Sequence, residues 1–474
     1  MTGFTWGAAT AAYQIEGAVA EDGRTASIWD TYSHTPGRTA QGATGDIACD
    51  HYHRLEEDLD LMAELGLQSY RFSISWSRVQ PHGTGELNSV GVGFYRRLAD
   101  GLRARGITPY PTLYHWDLPQ ELEDQGGWAA RSTAEAFGSY AEAIAAEFTD
   151  VDTWMTLNEP WCSAFLGYAS GVHAPGRHDP GDAIRAMHHL NVGHTLAQAA
   201  LRAKIPQVRI GAALNLRQVH PGDPGDPADL AAAQTIRLMG NEVFNGPMLD
   251  GGYDPAIIEL VAPVIDLNSL IEDGDFAPAG RGLDFIGVNY YYSMTVSARR
   301  AGSTVSTSGG HGTSAFTPWV GCGDVVIHEP VPPLTQMGWD IDPAGLRDLL
   351  LELADRYQGV PLVVTENGMA NPDVVDSDDV VRDQARINYI DRHLEAVKQA
   401  IEAGAPVQGY FYWSLLDNFE WAKGYAPRFG LIHVDFDTQR RVVKDSGRWY
   451  ADVIRSAAGS TTPVRSEDAR GSAQ

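Results

Sequence analysis

Apolar residues fall along this chain in eight short runs that alternate with stretches of helical periodicity. The runs are rich in β-branched and aromatic residues and cover positions 4–8, 69–76, 108–115, 153–158, 208–215, 284–291, 362–365 and 407–413. Between the first two runs, Leu55, Leu59, Met62 and Leu65 recur at helical spacing, and Gly66 follows as a stop signal. Eight strands that are apolar on both faces, with helices between them, are typical of a closed parallel barrel. The pattern predicts an α/β fold, a single (β/α)8 TIM barrel with its active site at the C-terminal ends of the strands.

Two stretches depart from this alternation. Residues 299–336 are rich in Gly, Ser, Thr and Pro and too long for an ordinary connection, so we expect a loop insertion near the site. Residues 457–474 carry small and polar side chains, and we expect a disordered tail. No low-complexity linker divides the remainder, which predicts one barrel domain over residues 1–456.

Acidic side chains outnumber basic ones by 61 to 35, which gives a formal net charge of −26. This charge repels nucleic acid phosphates and anionic membrane surfaces. A content of 43% hydrophobic and 20% charged residues is that of an ordinary globular protein with a large core. We therefore expect neither nucleic acid nor a membrane as a partner, and the sequence does not indicate the oligomeric state.

The three cysteines, Cys49, Cys162 and Cys322, form no C-x-x-C pair and are odd in number, which favours a reducing compartment. The chain starts without a basic and apolar leader, and no apolar stretch of 18 residues could span a bilayer. The expected location is the cytoplasm.

The histidine pairs and glycines match no metal or phosphate-binding motif, so we expect neither a metal nor another cofactor.

Two segments each place a glutamate just past a buried run. Thr-Leu-Asn-Glu-Pro at 156–160 brings Glu159 to the end of the fourth run, and Thr-Glu-Asn-Gly at 365–368 brings Glu366 to the end of the seventh. Because the C-terminal ends of parallel barrel strands meet at one face, we expect these two carboxyl groups to be partners.

Further polar and aromatic residues lie at or near the ends of other runs, namely Arg71, His115, Asn158, Asn289, Tyr291 and Trp413. Two carboxyl groups with aromatic and neutral hydrogen-bonding side chains are the inventory of a sugar-cleaving site. One carboxyl must hold a proton while the other is ionised. If Arg71 lies beside Glu366 it favours the ionised form, whereas a negative neighbour would raise the pKa of Glu159.

Several motifs make the chain resemble a family-1 glycoside hydrolase, most closely the bacterial β-glucosidases. They are FTWGAATAAYQIEG at 4–17, YRFSISW at 70–76, LYHWDLP at 113–119 and the two glutamate segments, and the similarity runs from about residue 4 to residue 454. The order of the motifs along the chain carries the resemblance, since any one of them is short enough to occur by chance.

The resemblance implies roles for individual residues. Glu159 would be the general acid/base and Glu366 the nucleophile of a retaining double displacement, with carboxyl groups about 5–5.5 Å apart. Arg71 and Tyr291 match positions that contact the nucleophile, Asn158 matches one that holds the sugar 2-hydroxyl, and Asn289 is expected to support catalysis. The non-reducing sugar would be bound by Gln14, His115, Trp116, Asn158, Trp413, Glu420 and Trp421.

Differences within the family narrow the substrate. A carboxylate at Glu420 would repel the phosphate of a 6-phosphorylated sugar and suits two neighbouring hydroxyls instead. The glutamate at Glu159 excludes the plant thioglucosidases, which carry glutamine there. Trp161 and Trp319 are candidates for the leaving-group side, but the aglycone preference does not follow from the sequence.

The leading hypothesis is an enzyme that hydrolyses terminal β-D-glucosyl residues of cellobiose, short cello-oligosaccharides and aryl β-glucosides. A β-galactosidase, a β-fucosidase or a transglycosidase would use the same residues and stays open. A sugar-binding protein without catalysis is a third reading, although such relatives lose one of the two glutamates that this chain keeps.

Overall fold

Eight parallel strands close into a barrel at the centre of the computed structural model, which describes residues 4–277, 282–301, 303, 312 and 314–459. The described strands are β1 Thr5–Ala9, β2 Ser69–Ser73, β3 Thr108–Tyr114, β4 Thr153–Asn158, β5 Arg209–Asn215, β6 Val219–Pro221, β7 Phe285–Asn289, β8 Met294–Ala298, β9 Val325–Ile327, β10 Leu362–Asn367, β11 Val407–Trp413, β12 Ile432–Val434 and β13 Arg441–Val443. The barrel order is β1-β2-β3-β4-β5-β7-β10-β11, and β11 closes onto β1. The predicted TIM barrel is confirmed, since each of the eight predicted runs overlaps one barrel strand.

Helices surround the barrel. Those described are α1 Ala12–Ile15, α2 Ile28–His34, α3 Leu55–Glu64, α4 Trp76–Val79, α5 Ser89–Ala104, α6 Gln120–Asp124, α7 Arg131–Glu147, α8 Pro180–Lys204, α9 Pro227–Arg237, α10 Val243–Asn245, α11 Pro255–Val261, α12 Pro343–Arg356, α13 Gln384–Glu402 and α14 Asp445–Gly459. Short π-helical segments cover Cys162–Ala169, Leu238–Glu242 and Gly246–Asp250, and 3₁₀ turns cover Ala40–Gly42, Gly127–Ala129, Leu267–Leu270 and Trp421–Lys423.

The helix predicted from apolar periodicity before the second strand is confirmed as α3. Its residues Leu55, Leu59 and Met62 are buried against the core. Gly66 follows with φ +69°, a conformation that an L side chain rarely adopts, and ends the helical stretch. Several barrel strands, among them β2, β4, β7 and β10, are buried along their whole length, because side chains fill the barrel on one face and helices cover the other.

Several predicted strand boundaries differ from the structure by one or two residues, and three expectations differ by more. The strand predicted to reach residue 76 ends at Ser73, and Trp76 begins α4 instead, where its indole donates to Gln80. The predicted loop insertion at 299–336 contains β9, which pairs antiparallel with β8. Helix α14 continues through Gly459, and the rest of the predicted tail, residues 460–474, lies outside the described residues. The extent of the barrel domain stays a prediction.

None of the described helices is long and apolar enough to cross a membrane. Within the described ranges, no group of three or more His, Cys, Asp or Glu side chains is arranged to hold a metal ion.

Candidate active site

The two glutamates lie at irregular ends of their strands. Glu366 follows a register shift in β10 and pairs in register with Asn289 of β7. Glu159 comes directly after β4, which has a register shift of its own before Asn158. Such irregularities re-aim side chains at a barrel rim. They bring both carboxyl groups to the pocket at the C-terminal face.

Donors contact both oxygens of Glu366. Arg71 Nη1 lies 2.5 Å from Oε1, and the Tyr291 hydroxyl donates to Oε2 at 2.7 Å. Arg71 also donates to Asn158 Oδ1 at 2.6 Å, and its side chain is fully buried. Glu366 is therefore held by a guanidinium and a phenol hydroxyl, as expected for a carboxylate that must act while ionised.

Glu159 has a different environment. Asn289 Nδ2 donates to its Oε1 at 3.0 Å, and the Cys162 thiol donates to its Oε2 at 3.3 Å. Burial, and next the negative charge of Glu366, raise the pKa of Glu159 to about 7. About half of the Glu159 carboxyl groups are therefore protonated at neutral pH, which suits a residue that acts first as an acid and then as a base.

Asn289 links the two strand ends. Its Nδ2 donates to Asn158 Oδ1 as well as to Glu159, both at 3.0 Å. Thr365 donates to Asn289 Oδ1 at 2.7 Å and fixes the amide in this orientation. Residues from three strands are thus held in one hydrogen-bonded network that fixes Glu159 relative to Glu366.

Aromatic rings form the walls of a pocket around the glutamates. Its lining residues are His115, Trp116, Asn158, Glu159, Tyr291, Trp339, Glu366, Trp413, Glu420, Trp421 and Phe429. The rings of Trp116 and Trp421 lie 4.6 Å apart, and those of His115 and Trp413 lie 5.7 Å apart. Flat apolar walls beside buried carboxyl groups suit a ring that has both an apolar face and hydroxyls.

Several buried polar atoms have no hydrogen-bond partner within the described part of the chain, and three of them belong to predicted sugar-binding residues. These three are Gln14 Oε1, His115 Nδ1 and Glu420 Oε2. The Gln14 amide is oriented because its Nε2 donates to Asn418 Oδ1 and to the Phe419 carbonyl. Buried polar groups in folded proteins are normally paired, so these atoms indicate a polar ligand.

The charge states of two of these groups follow from their surroundings. Burial, followed by the charges of Glu366 and Glu159, raises the pKa of Glu420 to about 8. Burial and the nearby Arg71 charge lower the pKa of His115 well below its usual range. Asn158 Nδ2 lies 3.0 Å from His115 Nε2, so the neutral imidazole accepts there and carries its proton on Nδ1.

Three pocket residues that are not glycine have positive φ, namely Trp116 at 77°, Glu159 at 42° and Trp421 at 49°. Each such residue costs about 1–3 kcal/mol, and the conformation persists only where the surrounding structure holds it in place. Their presence in one pocket indicates that packing around the pocket stabilises side-chain orientations that the backbone alone disfavours.

Trp161 and Trp319, predicted for the leaving-group side, contact each other with ring centroids 4.8 Å apart. Arg217 lies over the Trp161 ring at 4.2 Å, and the Trp161 indole donates to the Met239 carbonyl. Neither tryptophan is among the described residues that line the pocket, and their role stays a prediction.

Sequence reasoning missed three residues of the site. Trp339 and Phe429 line the pocket, and Cys162 contacts Glu159. Of these three residues, only Cys162 could have been found from the sequence, because it follows Glu159 by three positions, which is about one helical turn. The predicted residues Gln14, Arg71 and Asn289 are not among the lining residues, and they support the site through the hydrogen bonds described above.

Comparison with known proteins places this geometry among described enzymes. The model of the family described as glycosyl hydrolase family 1 matches residues 1–458. A bifunctional β-D-glucosidase/β-D-fucosidase of Bifidobacterium breve is 48% identical and covers 95% of this chain and 97% of its own length. β-Glucosidase A of Thermotoga maritima is 41% identical, with 96% and 97% covered. The crystal structure of a psychrophilic β-glucosidase from Micrococcus antarcticus superposes with a TM-score of 0.91 at 46% identity, over 96% of this chain and 97% of that one.

Proposed function

Because this chain belongs to glycosyl hydrolase family 1, we propose that it is a retaining β-glucosidase that removes terminal non-reducing β-D-glucosyl residues. Its substrates are cellobiose, short cello-oligosaccharides and aryl β-glucosides. The observation that carries this proposal is the contrast between the two glutamates: Glu366 accepts from Arg71 and Tyr291, while the pKa of Glu159 is raised to about 7.

The reaction proceeds by two displacements. The Glu366 carboxylate attacks the anomeric carbon, the glycosidic bond breaks, and Glu159 gives its proton to the leaving oxygen. Glu159, now ionised, takes a proton from water as that water attacks the anomeric carbon, and Glu366 leaves as a carboxylate. Two inversions at the same carbon give a β-configured product.

Sugar binding uses the groups that lack partners. Gln14 Oε1 and Glu420 Oε2 are acceptors, His115 Nδ1 is a donor, and together they can satisfy the hydroxyls on one side of a pyranose. The rings of Trp413 and Trp421 supply apolar surface for the C–H face of the sugar.

A second activity is favoured by one relative. The Bifidobacterium breve protein, at 48% identity, is named for both β-D-glucosidase and β-D-fucosidase activities. We therefore include aryl β-D-fucosides among the candidate substrates of this chain.

A cytoplasmic location also belongs to the proposal, since Cys49, Cys162 and Cys322 are free thiols, as suits a reducing compartment.

One experiment tests the assignment. The 4-nitrophenyl β-D-glucoside, β-D-fucoside and β-D-galactoside are compared by kcat/KM, and the anomer released first is followed by proton NMR. The proposal expects β-glucose as the first product and a glucoside rate at least comparable to that of the galactoside. A preference above about tenfold for the galactoside, or an α-glucose product, would contradict it.

A further inference from the structure

The two oxygens of Glu159 are each held by a donor that depends on a different barrel strand. Asn289, the last residue of β7, donates to Oε1, while Cys162 donates to Oε2 at 3.3 Å. Behind the sulfur lies Asn215, the last residue of β5, whose Nδ2 is 3.6 Å from Cys162 Sγ. Asn215 and Asn289 are direct register partners across β5 and β7. Neighbouring strand ends therefore support both sides of one carboxyl group.

Asn215 fixes the direction of the thiol proton. Its amide nitrogen can only donate, so the sulfur must act as acceptor toward Asn215. The single S–H proton is then left for Glu159 Oε2. The main chain restrains the same contact, since the Cys162 amide donates to the Glu159 carbonyl at 2.9 Å.

The thiol stays protonated while the enzyme works. Burial, and next the charge of Glu159, raise the pKa of Cys162 well above its usual range. A protonated donor stabilises the ionised form of its carboxylate partner more than the neutral form. The contact therefore opposes the burial and the Glu366 charge that raise the pKa of Glu159.

We propose that Cys162, oriented by Asn215, is a positioning residue that fixes Glu159 Oε2 and strengthens Glu159 as an acid. The role rests on the proposed function, because it presupposes that Glu159 protonates a leaving group. It makes the proton easier to release during glycosidic cleavage, and it keeps the carboxylate oriented for the water that follows.

Other charged and titratable groups also face Glu159. They are Glu366 from β10, Glu420 after β11, Arg217 after β5, and Tyr291 and Tyr292 after β7. All of these side chains remain in a Cys162 variant. Because Arg217 and Tyr292 also interact electrostatically with Cys162, the Cys162→Ser variant is needed to attribute a shift in the titration of Glu159 to the loss of the thiol donor.

The test compares pH profiles of kcat/KM for cellobiose and for 2,4-dinitrophenyl β-D-glucoside in the wild type, Cys162→Ala, Cys162→Ser and Asn215→Ala. For cellobiose, we expect the alkaline limb of Cys162→Ala to move upward by about half to one pH unit, because the ionised form of Glu159 loses a donor. Cys162→Ser, which keeps a donor, returns the limb toward the wild-type position, and Asn215→Ala gives a smaller upward shift. The dinitrophenyl substrate, whose leaving group needs no proton, loses less rate than cellobiose.

Cys322→Ala is the matched control, because Cys322 is a buried free thiol that donates to the Val320 carbonyl rather than to a carboxyl group. It leaves both profiles unchanged. An alkaline limb that stays in place, with equal losses on both substrates, would overturn the role of Cys162 while the β-glucosidase assignment stands. Absence of β-glucoside hydrolysis in the wild type would overturn both. If Cys162→Ala does not fold, the limb in Asn215→Ala decides the question, and an unshifted limb there contradicts the proposal.

Discussion

Arg71 and Glu366 meet at 2.5 Å although they come from β2 and β10, which are not neighbours in the barrel. Both side chains are buried, and Arg71 also contacts Asn158. The pair therefore crosses the barrel mouth and ties the predicted nucleophile to the strand that carries the predicted acid. Breaking such a pair leaves an uncompensated buried charge, with consequences for stability as well as for catalysis.

Arg71→Met is expected to lower kcat/KM for aryl β-glucosides by several orders of magnitude and the free energy of unfolding by about 3–5 kcal/mol. Arg78→Met is the control, since Arg78 forms a buried pair with Glu16 at 2.9 Å outside the pocket lining. The control should lose comparable stability and far less activity. Denaturant unfolding and kinetics on both variants separate the two effects, and equal activity losses would argue against a catalytic role for Arg71.

Glu159→Ala removes the predicted acid/base and should lower kcat/KM for cellobiose by about 10²–10⁴-fold. Substrates with an acidic phenol as leaving group should retain more of their rate, because their departure needs no proton. Azide, which needs no base to attack the anomeric carbon, should restore turnover and give β-glucosyl azide. Glu242→Ala, which removes a buried glutamate that faces Arg356, is the control and gains nothing from azide. An α-glucosyl azide would show that the two glutamates have been assigned the wrong roles.

The pH dependence follows from the pKa of about 7 at Glu159. Cleavage requires the protonated form, so kcat/KM for cellobiose should fall as the pH rises through about 7. A profile measured in a single buffer series at constant ionic strength checks this, and Glu159→Gln should lose the alkaline limb. A wild-type profile that is flat to pH 9 would contradict the assignment of Glu159 as the acid.

Much of this site could be predicted from sequence because its signals are local. The eight apolar runs give the barrel, and the barrel then brings Glu159 and Glu366 to one face without any knowledge of contacts. The residues that loops bring to the pocket could not be predicted in this way. Trp339 and Phe429 reach the pocket from long connections whose path depends on tertiary packing, and no periodicity in the sequence marks them.

The error at the end of the second strand has a related cause. Ile74, Ser75 and Trp76 continue the apolar pattern of β2, yet the chain turns at Ser75, where the Tyr95 hydroxyl accepts from the Ser75 amide at 2.7 Å. Tyr95 lies on α5, so a partner distant in sequence ends the strand. Burial alone does not distinguish a strand end from the first turn of a buried helix.

Asp117 carries a prediction about stability. It is 1% exposed, and neither of its carboxyl oxygens has a hydrogen-bond partner among the described residues. Burial raises its pKa to about 8, so above pH 4 the unfolded chain releases a proton that the folded chain retains. This group therefore lowers the free energy of unfolding progressively between about pH 4 and 8. Asp117→Asn should flatten that dependence in denaturant titrations across the same range, whereas an unchanged slope would mean that Asp117 ionises normally.

Glu420→Ala tests which group holds the sugar rather than which group reacts. Glu420 Oε2 is buried without a partner among the described residues, and the pKa of its carboxyl is raised to about 8, mainly by burial. A bound sugar supplies hydroxyl donors that favour the ionised form of this carboxyl. Hydrogen bonds to a charged acceptor are worth about 1.5–3 kcal/mol each. Removing the side chain should therefore lower kcat/KM for aryl β-glucosides by about 10²-fold or more, while the alkaline limb stays near its wild-type position, because Glu420 is largely neutral at the pH where Glu159 titrates. Asp124→Ala removes an exposed carboxyl outside the pocket lining and serves as the control. A glucoside rate in Glu420→Ala that matches the wild type would show that the sugar hydroxyls are held elsewhere.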